Sequence, residues 1–182
     1  PRILRHLLAL DERDRYLRFG YAASDAQIER YVAQLDFERD EVFGVFNRRL
    51  ELAAIAHLAY MDPGATDPPS AEFGVSVAKA SRGRGYGERL FDHAALHARN
   101  RGIDTLLVHA LSENTAMLRI TRNAGARIVR DGPESQAWVQ LAPENLASHV
   151  EELVENGVAG IDYRLKVQAH RVDELLSGRG KG

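Results

Sequence analysis

No cysteine occurs anywhere in the 182 residues. That excludes a disulfide framework, a thiolate zinc site and a cysteine nucleophile, and nothing asks for an oxidising compartment. A charge of one sign is lacking as well: 24 Lys and Arg stand against 26 Asp and Glu, a formal net charge of −2. The chain therefore carries no overall basic bias toward nucleic acid or anionic lipid. No apolar run approaches the roughly 18 residues of a membrane span. The opening segment, PRILRHLLALDERD, breaks a short apolar patch with charge and makes a poor signal peptide. The expectation is a cytoplasmic protein with neither nucleic acid nor membrane as partner. Its length suits one domain with a core of useful size.

What is present has a clear order. The first forty residues read as helical. SDAQIERYVAQLD offers Ser24 or Asp25 as a cap, then Ile28, Tyr31, Val32 and Leu35 at helical spacing. EVFGVFN (41–47) and LELAAIAHLAYM (50–61) then read as a hairpin turning at Arg48 and Arg49. After a proline-rich loop, AEFGVSV (71–77) alternates Phe73, Val75 and Val77 with Glu72, Gly74 and Ser76, a strand pattern. From Gly87 the apolar spacing turns helical through Leu90, Phe91, Ala94, Ala95 and Ala98, with Gly102 as a stop. DTLLVHA (104–110) is a buried type of strand, SENTAMLRITRNAG (112–125) a helix, and ARIVRD with SQAWVQLA a second hairpin. The fold class is α/β, with a strand–helix–strand unit that is expected to be parallel and right-handed. Residues 143–176 read as two amphipathic helices whose stripes need cover, on the core or on a second copy as a homodimer. Residues 177–182 read as a flexible tail.

Between strand and helix lies SRGRGYGERL (81–90). A glycine-rich turn at a helix N-terminus gathers free backbone N–H groups and the positive end of the helix dipole, so it suits an anion. Arg82 and Arg84 suit phosphate oxygens. The stretch lacks the Gly-Lys-Ser/Thr ending of a Walker loop, and its glycines miss the G-x-G-x-x-G spacing. From composition alone, a phosphate cradle and a solvated Gly/Arg turn both remain open.

Arg82-Gly83-Arg84-Gly85-Tyr86-Gly87 fits R-x-x-G-x-G, and in this the sequence resembles the GCN5-related N-acetyltransferases (GNAT), where that motif is the pyrophosphate loop. The preceding EFGVSVAKAS resembles the family strand that leads into the loop. NTAMLRITRNAGA (114–126) is similar to the family's N-x-x-A-x-x-L-Y-x-x-x-G-F helix, with Thr121 where the tyrosine stands and Ala126 for the phenylalanine. A fainter likeness links RYLRFG and LDFERDEVFGVF to the acetyltransferase domains of bacterial protein-lysine acetyltransferases.

The resemblance implies a mixed, mostly antiparallel sheet in a domain spanning residues 1–142. It also implies an acyltransferase that moves an acetyl group from acetyl-CoA to a primary amine, with no metal. Arg82, Gly83, Arg84, Gly85, Tyr86, Gly87 and Asn114 would contact the cofactor. Backbone N–H groups among Val75, Ser76 and Val77 would meet the acyl oxygen. With no cysteine to carry the acyl group, transfer is expected to be direct.

The chemistry poses a proton problem. An alkylamine has a pKa of about 10.4, so a base must take its proton. Glu72 is the candidate base, on the strand opposite the apolar face. Thr121 stands where the family's acid stands but cannot give up its proton at neutral pH; it could hold a water or the thiol. Asp62, Asp67 and Tyr60 are further candidates near the proline loop. His93 and His97 have the spacing of a metal pair without a third ligand. The other reading is a module that binds acetyl-CoA without turnover.

Overall fold

A computed structural model describes residues 1–62 and 64–141. The expected helices at 143–176, their homodimer interface and the tail at 177–182 lie outside the described residues. Three helices come first, α1 Arg2–Leu8, α2 Glu12–Phe19 and α3 Asp25–Ala33. Strands β1 Glu41–Phe46, β2 Leu52–Tyr60 and β3 Ser70–Val77 follow. After a short 3-10 turn come α4 Tyr86–Asn100, β4 Thr105–Leu111, α5 Thr115–Asn123, β5 Arg127–Asp131 and β6 Glu134–Gln140.

Local chemistry sets the helix ends. Asp11 accepts the Asp14 N–H to open α2, and Ser24 with Gln27 forms a reciprocal capping box on α3. Gly20 closes α2 in the left-handed region, at φ 80°. The first hairpin departs from the expected two-residue turn. β1 ends at Phe46 and β2 starts at Leu52 because the Asn47 side chain accepts from the N–H groups of both Arg49 (2.8 Å) and Glu51 (3.0 Å), folding a longer loop on itself.

The six strands run in the order β1-β2-β3-β4-β6-β5. All neighbours are antiparallel except β3 and β4, the ends of the expected strand–helix–strand unit. Alternation along β2 sends Ala54, Ala56 and Leu58 to one core and Ile55 to the other. The first core packs α4 and α5 on the sheet around Phe73, Phe91, Leu106 and Leu118; the rings of Phe73 and Phe91 meet edge to face at 5.1 Å. Full burial of each such side chain contributes on the order of 2–3 kcal/mol. The second core holds α1 and α3 on the opposite face through Ile3, Leu7, Ile28, Val42 and Ile55.

Candidate active site

The parallel contact between β3 and β4 is short. It joins Ser70 to Thr105, Ala71 to Leu106 and Glu72 to Leu107, and then the strands part. Beyond that point β3 stays paired with β2 as far as Val77, and β4 stays paired with β6 as far as Leu111. Each strand therefore keeps its outer partner and loses its inner one. A cleft of about 910 Å³ opens in the gap, lined by Glu72–Val77, by Val108–Leu111, by the loop around Gly83 and Gly85, and by parts of α2 and α5.

Antiparallel pairing fixes which backbone groups face the gap. Ala78 donates its N–H to Ala53 and Ser70 accepts from Met61, so even-numbered positions of β3 turn toward β2. The register is unbroken between Ala54↔Val77 and Tyr60↔Ala71, and directions alternate along the strand. The N–H groups of Phe73, Val75 and Val77 therefore turn toward the cleft. The Ser76 N–H turns away, which removes Ser76 from the set of backbone donors expected there.

The Ser76 side chain is also engaged. His6 Nδ1–H donates to the Leu52 carbonyl at 2.9 Å, and its Nε2 accepts from Ser76 Oγ–H at 2.8 Å. Burial holds the His6 pKa below its ordinary value, so the ring is neutral in this arrangement and pins α1 to the sheet.

At the mouth of the gap, Gly83 and Gly85 both have φ 74°. A Cβ at either would meet nothing within 4 Å, so backbone conformation rather than space requires glycine there. Gly85 is the N-cap of α4 and offers no side-chain cap; the first N–H returned to the helix is that of Arg89, to the Gly85 carbonyl. The N–H groups of Tyr86, Gly87 and Glu88 precede that first helical bond. Gly87 has a different reason, since a Cβ there would lie 3.3 Å from Ile120 Cδ1 on α5.

The two loop arginines part company. Arg82 forms an ion pair with the buried Asp14 of α2, and its Nε reaches the Val77 carbonyl at 3.4 Å. Arg84 is exposed and lies outside the cleft lining. Asn114 lines the cleft and joins its walls: Oδ1 caps α5 at the Met117 N–H (3.2 Å), and Nδ2 donates to the Leu17 carbonyl of α2 (3.4 Å). Thr121 is not brought to the cleft. It is fully buried, and its hydroxyl donates to the Leu118 carbonyl one turn back at 3.1 Å.

The sequence reading missed the α2 wall. Arg18 lies directly over Gly74, where a Cβ would fall 2.7 Å from its Nη2. An isolated glycine inside a strand pattern signals such a close approach, and Gly74 was that signal. The proline-loop candidates lie elsewhere: Asp62 pairs with Arg39 at 3.5 Å, and Tyr60 packs beneath the Arg101 guanidinium, its phenol pushed up in pKa chiefly by burial. His97 pairs with Glu41 at 2.7 Å, and the rings of His93 and His97 both meet that of Phe43 edge to face. Among the described residues no cluster of three or more His, Asp or Glu is placed to hold a metal, and no helix is long and apolar enough to cross a membrane.

A sheet parted at one parallel joint, with a glycine loop and a helix N-terminus at the mouth of the gap, is the architecture the chain shares with acetyltransferases of known structure. The model of the acetyltransferase (GNAT) family matches residues 5–126, and the chain belongs to that family. In structure it is similar to the GNAT domain of PAT from S. lividans, with TM-score 0.63 and 25% identity over 77% of this chain and 84% of that one. It is also similar in fold to spermidine N-acetyltransferase from Vibrio cholerae in complex with CoA and spermine, with TM-score 0.60 and 17% identity over 76% and 89% of the two chains. A cAMP-binding acyltransferase from Mycobacterium smegmatis gives TM-score 0.55 and 23% identity over 77% of this chain and 44% of that one. No curated protein is significantly similar in sequence.

Proposed function

We propose that the protein is an acyl-CoA-dependent N-acyltransferase that moves an acetyl group from acetyl-CoA directly onto a primary amine. The observation that carries this reading is the parting of β3 and β4 after Glu72 and Leu107, with unpaired strand amides inside the gap and the Gly83–Gly85 loop at its mouth. A pyrophosphate would sit on the N–H groups that open α4, where the helix dipole favours negative charge. Arg82, tied to Asp14, would stiffen the loop against α2, and Arg84 would meet phosphate from the solvent side. Tyr86 and Asn114 would border the rest of the cofactor.

The thioester would then lie between the strands, with its oxygen on the Val75 N–H and the Val77 N–H further toward the loop. Donors fixed where negative charge develops are worth several kcal/mol in a water-poor site. The amine nitrogen bonds to the carbonyl carbon, the carbon–sulfur bond breaks, and the amine proton passes to Glu72. The CoA thiolate, with a thiol pKa of about 8.5, leaves without an obligatory acid and takes its proton from water. Thr121, buried and engaged with Leu118, has no part in that step.

The burial of Thr121 also favours a second reading, a module that binds acetyl-CoA without turning it over. Mass detection of N-acetylated product, from acetyl-CoA and a panel of amines, separates the two. Product that accumulates with enzyme supports transfer; CoA binding without product from any amine supports the module.

A further inference from the structure

We propose that the acceptor is a small zwitterionic amine of the amino-acid type, its carboxylate held by Arg18 and its amine presented to Glu72. This rests on the transfer reading above. Arg18 and Glu72 both line the cleft. Among the described residues neither is in an ion pair, although they are neighbours of opposite charge. The Arg18 guanidinium lies over Gly74, and Glu72 is two positions back on the same face of β3, a separation of about 7 Å along the strand.

Arg18 is held rather than loose. Its Nη2 donates to the Tyr31 hydroxyl at 2.9 Å, and the guanidinium sits 5.2 Å from the Phe19 ring centroid and 5.5 Å from that of Tyr31. Tyr31 in turn donates to His57 Nδ1 at 2.9 Å, and His57 Nε2–H donates to the buried Asp40 carboxylate at 3.0 Å. Only one polarity satisfies this chain: the carboxylate accepts, the neutral ring passes the direction on, and the phenol oxygen is left to accept from Arg18. Four side chains from four segments thus aim one guanidinium into the cleft, with its other N–H donors free of protein partners among the described residues.

A cation fixed beside the base works against a simple alkylammonium, which it repels. The same cation favours an amine that also carries a carboxylate, because a guanidinium binds that group through two parallel N–H bonds. Glu72 and Arg18 together are complementary to a zwitterion, and Gly74 leaves the space that the guanidinium occupies.

The test compares α-amino acids with their own α-carboxamides as acceptors, alongside a lysine peptide blocked at both ends. The carboxamide amine is the less basic and so more often neutral, so basicity cannot explain a preference for the acid. The acid is expected to win by at least about tenfold in kcat/KM, the worth of one charged hydrogen-bonded contact. Arg18→Gln should erase that preference mainly through KM, Arg18→Lys should keep part of it, and Tyr31→Phe should raise KM for the acid by less than Arg18→Gln does. Equal use of acid and amide by the wild type overturns the proposal, as does acceptance of the blocked peptide alone. Arg18→Gln lowering kcat alike for acid and amide would also overturn it, and would make Arg18 a structural residue. CoA binding with no turnover of any amine contradicts the transfer reading itself, and this inference falls with it.

Discussion

The two walls of the cleft are built by different means. The α4 wall is made of backbone: two left-handed glycines, the opening N–H groups of a helix and the amide edge of β3. The α2 wall is made of side chains: Arg18 aimed by Tyr31, His57 and Asp40, and Glu72 beside it. A backbone wall suits a ligand part that never varies, because its donors are fixed by the fold and survive most substitutions. A side-chain wall can be rewritten residue by residue without touching the fold. On the function proposed above, the cofactor would belong with the first and the acceptor with the second.

This division ranks the expected effects. On the side-chain wall, Glu72→Gln should lower kcat by about 10²-fold, since general base catalysis is typically worth 10²–10⁴. The substitution keeps the shape and removes only the basic oxygen, so calorimetry should show CoA affinity unchanged. A pH–rate profile superimposable on that of the wild type would remove Glu72 from the chemistry. On the backbone wall, Gly85→Val should weaken CoA binding at least ~10-fold. The cause differs from simple obstruction: no protein atom fills the space, but a β-branched residue at φ 74° is strained and pulls the first turn of α4 out of line. Full affinity in a folded variant would detach the loop from cofactor binding.

Thr121→Val, which belongs to neither wall, should change kcat/KM by less than about threefold, under 1 kcal/mol of activation free energy. It removes a hydroxyl whose described hydrogen bond stays within its own helix, to the Leu118 carbonyl, and keeps the volume of a fully buried side chain. A large loss at unchanged stability would return Thr121 to the mechanism.

The smallest effect concerns stability against pH. Burial lowers the pKa of both His6 and His57 below 6.5 in the folded chain. The unfolded chain binds protons more readily there, so the stability from these neutral rings is complete above pH 6.5 and is lost as pH falls from 6.5 toward the folded values. Melting temperature should be flat near pH 7–8 and decline below it, and His6→Gln should shallow that decline. A melting curve that rises on acidification through this window would contradict the neutral assignment.

The difference between the walls also explains what the sequence could disclose. A backbone site demands glycine at φ > 0 in one contiguous stretch, so 83–87 could be read directly from the order of residues. The alternation of β3 and the helical spacing of α4 were equally local. The Arg18 constellation is assembled from α2, α3, the loop before β1, and β2, and only folding brings these together. Gly74 was its one trace, a glycine in a strand with no turn to explain it. The pairing of Arg82 with Asp14 was likewise invisible, since it spans two elements with no shared motif. Thr121 shows the converse. A motif resemblance pointed it to the site, while its spacing from Met117 and Leu118 puts it on the buried side of α5, and the helix obeyed the spacing.

The most direct test of the two-wall account is a structure with CoA bound. The account predicts the pyrophosphate within hydrogen-bond distance of the N–H groups of Tyr86 and Gly87, and the thiol end between β3 and β4, nearer the Val75 amide than any side chain of α5. A pyrophosphate held by Arg84 away from the opening of α4, or a thiol end outside the gap that begins after Glu72 and Leu107, would contradict it.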